Sequence, residues 1–312
     1  MSPHDHPALV GLRVLERGWL SSNNVLIHAQ GDDAGAVLID SGHVVHAEQT
    51  VALVTHALQG APLARIVNTH LHSDHCGGNA SLQRAFGAPV FVPPGQADAV
   101  RRWDEVALSY APTGQRCERF SIAGTLSPGE VLHAGGRQFD VLAAPGHDPE
   151  SVVLFDARHG LLISADALWE NGFGVVFPEL EGEQAFDDVA AVLDMIERLP
   201  VALVVPGHGG VFSDVPAALA RARSRLAAFV NDPQRHARYA AKVLLSYHLM
   251  EVQGETLAQL RAWIARTSLF STVWGRVGRA ESETPADWGE ALVGELVASG
   301  AALRAGDRVL AA

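Results

Sequence analysis

The sequence predicts a mixed α/β chain in two parts: a larger one of short strands and helices, then a smaller, mainly helical one. Three observations lead there. Through the first two thirds, short apolar runs recur between Gly, Pro and Asp, the pattern of strands closed by turns. Segments of helical period lie between them. The clearest is 183–199, where Phe186, Val189, Ala190, Leu193, Ile196 and Leu199 recur at spacings of three and four. After Asn231-Asp232-Pro233 the character changes and helices dominate. A chain of 312 residues suits one large domain plus a small one, and the change of character sets their expected limits at 1–230 and 231–312.

In chain order, residues 25–28 and 36–39 read as a hairpin pair about Gly31-Asp32-Asp33, 46–58 as a helix, 65–68 as a strand and 80–86 as a short helix. Further strands are expected at 89–92, 139–143, 152–155, 161–164 and 202–205. A helix over 215–229 has Asp214 at its N-cap and Pro216 in its first turn. Beyond 231, helices are expected near 237–252, 256–266 and 285–298, then two short strands around Gly306-Asp307. Three helices and a terminal hairpin give a winged-helix outline. Residues 104–125 hold no predicted element, and a stretch of that length suits a lid.

Composition excludes several classes. Apolar residues make up 48% and charged residues 19%, a globular balance rather than a disordered one. Two cysteines, Cys76 and Cys117, are too few for a disulfide framework or a thiolate-only metal site. A net charge of −12 argues against a general polyanion binder. From His236 onward, 8 basic residues balance 8 acidic ones, a poor basis for phosphate recognition. No apolar run reaches the roughly 18 residues of a membrane span, and a cytoplasmic location is expected. The odd number is 15 histidines against 3 tyrosines.

The informative histidines stand in Asn68-Thr69-His70-Leu71-His72-Ser73-Asp74-His75-Cys76-Gly77-Gly78. A His-x-His-x-Asp-His string is expected only about 0.002 times by chance at this composition, so it demands a reason. At the end of a strand, His70 and His72 point the same way and can hold one ion. Asp74 and His75 fall on the following turn and can face a second. Gly77 and Gly78 are expected to let the backbone bend sharply. Three more candidates each follow an apolar strand: His147 after Pro145-Gly146, Asp166, and His208 after Pro206-Gly207. Strand ends are where sheet-based enzymes place chemistry. Imidazole with carboxylate suits zinc, and also iron or manganese.

This constellation resembles the metallo-β-lactamase superfamily, metal hydrolases with an αββα sandwich fold. The resemblance covers roughly residues 10–230. It begins with Leu38-Ile39-Asp40-Ser41-Gly42 and implies that Asp40 braces the metal loops. It implies further that His70, His72 and His147 bind one divalent ion, that Asp74, His75 and His208 bind the other, and that Asp166 bridges them. The nearby Trp169, Asn171 and Phe173 sit on a glycine-bearing loop and are expected to wall the substrate pocket. The layout is similar to lactamase-like hydrolases with a C-terminal winged helix. Asp166 sets the chain apart from zinc β-lactamases, which generally lack an aspartate there. A Trp169-Glu170-Asn171-Gly172-Phe173 stretch stands where glyoxalase II has Gly-Cys-Gly-Arg.

The implied chemistry is attack by a hydroxide shared between two metals, with Asp74 orienting the nucleophile and moving its proton. The expected substrate is a small-molecule ester, thioester or lactone. The alternative is a nuclease acting on single-stranded RNA, with the C-terminal domain as reader. For that domain a packing or homodimer role is also open.

Overall fold

The computed structural model describes residues 3–312. The chain forms two compact units. The first holds the chain up to Leu108 together with Cys117–Leu226, and the second holds Ser109–Arg116 together with Ala227–Ala312. The division therefore falls inside the helix Val215–Asn231 rather than at its end. Part of the stretch expected to be a lid belongs to the second unit.

Two sheets build the first unit. One contains β1 (Leu12–Leu15), β2 (Asn24–Ile27), β3 (Ala36–Ile39), β4 (Leu63–Val67), β5 (Val90–Val92) and β6 (Gly124–Thr125), side by side in that order. The pairs β1–β2 and β2–β3 are antiparallel, and β3–β4, β4–β5 and β5–β6 are parallel. Parallel neighbours need long crossovers; the helices Ala47–Leu58 and Asn79–Phe86 lie in two of them. The other sheet contains β7 (Val131–Ala134), β8 (Arg137–Ala143), β9 (Val152–Asp156), β10 (Leu161–Ala165) and β11 (Leu203–Pro206). It is antiparallel except for the pair β10–β11.

Alternate residues of the two sheets form one core. Val25, Ile27, Val37, Ile39 and Val67 pack with Phe139, Val141, Val152, Leu154, Leu161, Ile163, Leu203 and Val205. The outward residues Leu26, Leu38, Ile66, Val153, Leu162 and Val204 are also buried. Strands covered on both faces read as continuous apolar runs, which is why the sequence announced them so clearly. Helices with one buried face supply the outer layers. In Phe186–Arg198 that face is Phe186, Val189, Val192, Leu193 and Ile196.

Gly77 and Gly78 make the turn between the helices Ser73–Cys76 and Asn79–Phe86 with ordinary negative φ, −62° and −84°, so the turn does not need glycine's backbone freedom. They are small because the chain is crowded. A Cβ on Gly77 would lie 2.4 Å from Val44 N, and one on Gly78 would lie 2.3 Å from Ser41 O. The metal-motif segment is thereby pressed onto the loop after β3.

In the second unit, Asp232 caps the helix Pro233–Val252 by accepting from Arg235 N, with Pro233 in the first turn. The Asn-Asp-Pro break is thus a helix start, four residues ahead of the expected one. Thr256 and Gln259 form a capping box on Leu257–Arg266. The helices Ser268–Val273 and Pro285–Ala298 follow. A three-stranded sheet completes the unit, in the order β12 (Glu255–Thr256), β14 (Arg308–Ala311), β13 (Ala302–Ala305). Leu244, Leu245, Leu260, Trp263, Ile264, Phe270, Trp288 and Leu292 are buried. The 109–116 segment is tied in where Trp263 Nε1 donates to Gly114 O (3.3 Å) and Arg116 pairs with Glu251.

Candidate metal centre

Four strand ends deliver the singled-out residues. β4 stops at Val67, and the chain runs through Asn68 and Thr69 to His70 and His72. A four-residue helix, Ser73–Cys76, then carries Asp74 and His75. His147 follows β8, Asp166 follows β10, and His208 follows β11. Together they make two clusters of possible ligand atoms: His70, His72 and His147 in one, and Asp74, His75, Asp166 and His208 in the other. Within each cluster those atoms lie within 4.8 Å of one another.

Hydrogen bonds behind the rings set their direction. His147 Nδ1 donates to Val175 O at 2.6 Å, which leaves Nε2 facing the cluster. His72 Nδ1 approaches that Nε2 to 2.7 Å. His75 Nδ1 donates to Asp40 Oδ2 at 2.8 Å, and its Nε2 lies 3.4 Å from Asp166 Oδ1 and 3.7 Å from Asp74 Oδ2. Asp40 also accepts from Thr69 N (2.9 Å) and Thr69 Oγ1 (2.8 Å). It therefore ties the loop after β3 to both histidine-bearing segments. His208 Nε2 lies 3.0 Å from Asp74 Oδ2. Asp166 faces both clusters: Oδ1 lies 3.4 Å from His75 Nε2, and Oδ2 lies 3.4 Å from His147 Nε2.

The residues fit a pair of divalent ions. The buried His70 Nε2 and His75 Nε2 make no hydrogen bond among the described residues, although buried polar atoms rarely stay unpaired. Burial, helped by neighbouring imidazoles, holds His70 well below the usual histidine range. It also takes His72 and His147 down to about 4. These rings are neutral lone-pair donors at neutral pH, as metal ligation requires. Burial opposes the charge on Asp166 and Asp74, but His208 and His75 beside the first, and His75 and His208 beside the second, outweigh it. Both carboxyls stay well below their usual range. Burial also opposes charge on His75, yet Asp166, Asp40 and Asp74 raise it well above the ordinary value. The cluster thus draws positive charge to itself.

The backbone closes tightly around these groups. A Cβ on Gly207 would lie 2.2 Å from Asp166 Oδ1, and one on Gly174 would lie 2.4 Å from His147 Nδ1. Asn23 clamps the strand end that presents His208: its N donates to Gly207 O, and its Nδ2 donates to Pro206 O and Gly209 O. Neither glycine nor Asn23 was singled out in the sequence, and nothing local marks them. Asp148 lies 3.8 Å from His72 Nε2 while accepting from Glu150 N in its own turn. Cys76 Sγ faces the carbonyls of Leu71 and His72 and the thiol of Cys117.

The expected pocket wall is only partly found. Trp169 stands at the centre and donates from Nε1 to Asp166 Oδ1 at 3.2 Å. Asn171 is exposed. Phe173 is buried at 2% exposure and is a core residue, not a wall. Gly172, with φ +124°, turns the chain back so that position 173 points inward. Two aromatics missed in the sequence do stand at the centre. Phe177 lies against His72 and His147, and Trp19 stacks on His208.

Comparison with known proteins follows the same outline. The family model described as the metallo-beta-lactamase superfamily matches residues 17–208. An acyl-coenzyme A thioesterase of Homo sapiens is 28% identical over 162 residues, 47% of this chain and 56% of that protein. A hydroxyacylglutathione hydrolase of Synechococcus sp. (strain JA-3-3Ab) is 31% identical over 194 residues, 61% of this chain and 65% of that protein. The chain thus spans little more than half the length of the first relative. Among solved structures, a metallo-beta-lactamase family protein of Thermus thermophilus shares the fold. Its TM-score is 0.56 at 21% identity, covering 97% of this chain and 99% of that one.

Proposed function

Because the chain belongs to the metallo-β-lactamase superfamily, we propose that it is a binuclear metal-dependent hydrolase of a small-molecule ester, thioester or lactone. The observation that carries this is Asp166, whose two oxygens face the two ligand clusters separately. In this reading His70, His72 and His147 hold one ion, Asp74, His75 and His208 hold the other, and Asp166 bridges. Zinc suits the donor set best, with iron or manganese next. Bound there, the ions would bring the pKa of water from 15.7 towards ~7 and offset negative charge developing on a carbonyl oxygen.

The chain's own groups do the rest. Asp40 fixes His75, and the Val175 carbonyl fixes His147, so neither ligand ring turns away. Asp74, held by His208 and ionised, orients the attacking water and carries its proton to the leaving oxygen or sulfur. The names of the relatives, a thioesterase and a glutathione thioester hydrolase, favour acyl transfer to water. The RNA alternative draws little support from the second unit, read here as a winged-helix-like domain. Its Arg238, Lys242 and Arg261 are engaged by Glu281, Glu295, Asp287 and Glu290. No helix among the described residues is long and apolar enough to cross a membrane. The two free thiols, 3.8 Å apart, suit a reducing compartment such as the cytoplasm.

The test is a screen of ester, thioester, lactone and phosphodiester substrates with metal-loaded protein and with Asp166→Ala. We expect turnover of a carbonyl substrate and its loss, by at least about 100-fold, in the variant. Turnover of phosphodiesters alone would overturn the reading.

A further inference from the structure

Three aromatic rings frame the metal centre within the first unit. Trp19 lies on the loop between β1 and β2. Its indole stacks on the His208 imidazole, with centroids 5.5 Å apart and planes 9° from parallel. Trp169 stands edge-on to both, 5.5 Å from Trp19 at 67° and 5.3 Å from His208 at 74°. Phe177 stands against the other ligand cluster, 5.0 Å from His72 and 5.6 Å from His147.

Trp19 is 54% exposed. An indole offers one of the largest apolar surfaces a side chain can bury, and here half of it stays in water. The loop that carries it is not loose. Ser21 N donates to Gly18 O, Ser22 N to Asp74 O, and Asn23 N to Gly207 O. The last two bonds fasten the loop to the segments bearing Asp74 and His208, and the ring itself rests on His208 while half uncovered. Trp169 and Phe177 are each partly exposed as well.

Two arginines near the frame are turned to its backbone: Arg221 Nε donates to Glu170 O (2.7 Å) and Arg225 Nη1 donates to Phe173 O (3.3 Å). Rings with few polar groups bind by apolar area, and the polar groups fix orientation. An apolar group close to the scissile bond finds three rings.

We propose that Trp19, with Trp169 and Phe177, forms the acyl-binding frame of the site and selects esters or thioesters whose acyl group is an apolar chain. This rests on the hydrolase reading above. Each methylene buried against such a frame is worth about a threefold to fourfold gain in kcat/KM, until the frame is filled. Trp19 is the specificity-determining member, because it is the most exposed and donates no hydrogen bond to a ligand carboxylate, as Trp169 does.

The experiment holds the leaving group constant. Acetyl, butanoyl, hexanoyl and octanoyl thioesters of N-acetylcysteamine are compared with metal-loaded wild type, Trp19→Ala and Trp19→Phe. We expect the hexanoyl-to-acetyl ratio of kcat/KM to exceed about tenfold in wild type, to fall towards one in Trp19→Ala, and to recover substantially in Trp19→Phe. Equal ratios in wild type and Trp19→Ala, or a flat wild-type series, overturn the frame while leaving the hydrolase reading intact. Absence of turnover with every member counts against thioesters within the hydrolase reading and leaves esters and lactones to the screen above. Binding then decides the frame by itself: octanoate should change the tryptophan fluorescence of wild type saturably and bind at least about fivefold more weakly to Trp19→Ala. Indistinguishable binding to the two proteins defeats the proposal.

Discussion

Strain sits beside the metal centre at the scale of single residues. Asp40 and Ala165, neither of them glycine, have φ of 57° and 45°, a conformation costly for residues with a Cβ. Of the other described non-glycine residues with positive φ, Gln59, Trp103 and Gln253 close helices, an ordinary place for it, and Ser109 begins one in the second unit. Ala165 directly precedes Asp166, and Asp40 braces His75, so the strained pair aims the carboxylate that faces both clusters and a histidine beside it. Gly207 tests how little room this leaves. Gly207→Ala places a methyl 2.2 Å from Asp166 Oδ1 and should push that carboxylate out of line. The expected outcome is a cooperatively folded protein that loses about half or more of its bound metal on elemental analysis. Full metal retention with wild-type turnover would show that Asp166 tolerates displacement.

At the scale of elements, burial decided what the sequence revealed. β9 and β10 are buried along their whole length and were visible as unbroken apolar runs. β1 has one buried residue of four, β6 has only two residues, and in β7 Val131 and His133 face solvent; these three carried too little pattern. The metal ligands were legible because their side-chain chemistry is rare in combination. Gly207, Gly174 and Asn23 were not, because their role is defined by what packs against them. Leu154, at 0% exposure in the centre of the sandwich, should show the cost of disturbing such packing. Leu154→Ala is expected to lower unfolding free energy by about 2–5 kcal/mol in denaturant titrations, and a change under about 1 kcal/mol would contradict its central place. In the second unit, burial takes His236 down to about 4. An unfolded chain would hold its histidine near the ordinary 6.5, so it binds more protons between those values. The stability that His236 contributes is therefore full above about pH 6.5, falls as pH drops towards 4, and amounts to up to about 3 kcal/mol. His236→Phe should make that acid limb shallower, with His248, also taken down to about 4 by burial, keeping its own part. An unchanged limb would assign the acid sensitivity elsewhere.

The whole molecule is interrupted in sequence. Ser109–Arg116 leaves the first unit, joins the second and returns at Cys117, a detour that no composition shift announced. Its helix Tyr110–Thr113 packs by the helix Ser268–Val273, with Tyr110 at 2% exposure. Simple removal of residues after 226 would strand that segment and uncover an aromatic. We expect such a truncation to aggregate on size-exclusion chromatography, and a version with 109–116 also replaced by a short Gly/Ser linker to stay soluble. A soluble, monodisperse simple truncation would mean that the segment needs no partner.

The central claim is that two clusters share Asp166 and hold two ions. Its most direct measurement is elemental analysis of protein purified without chelator, set beside the Asp166→Ala variant and a thermal melt of each. The account predicts close to two transition-metal ions per wild-type chain, zinc foremost, and one or fewer per variant chain with cooperative unfolding retained. A folded wild-type protein that takes up no transition metal, or a variant that keeps both ions, would contradict it.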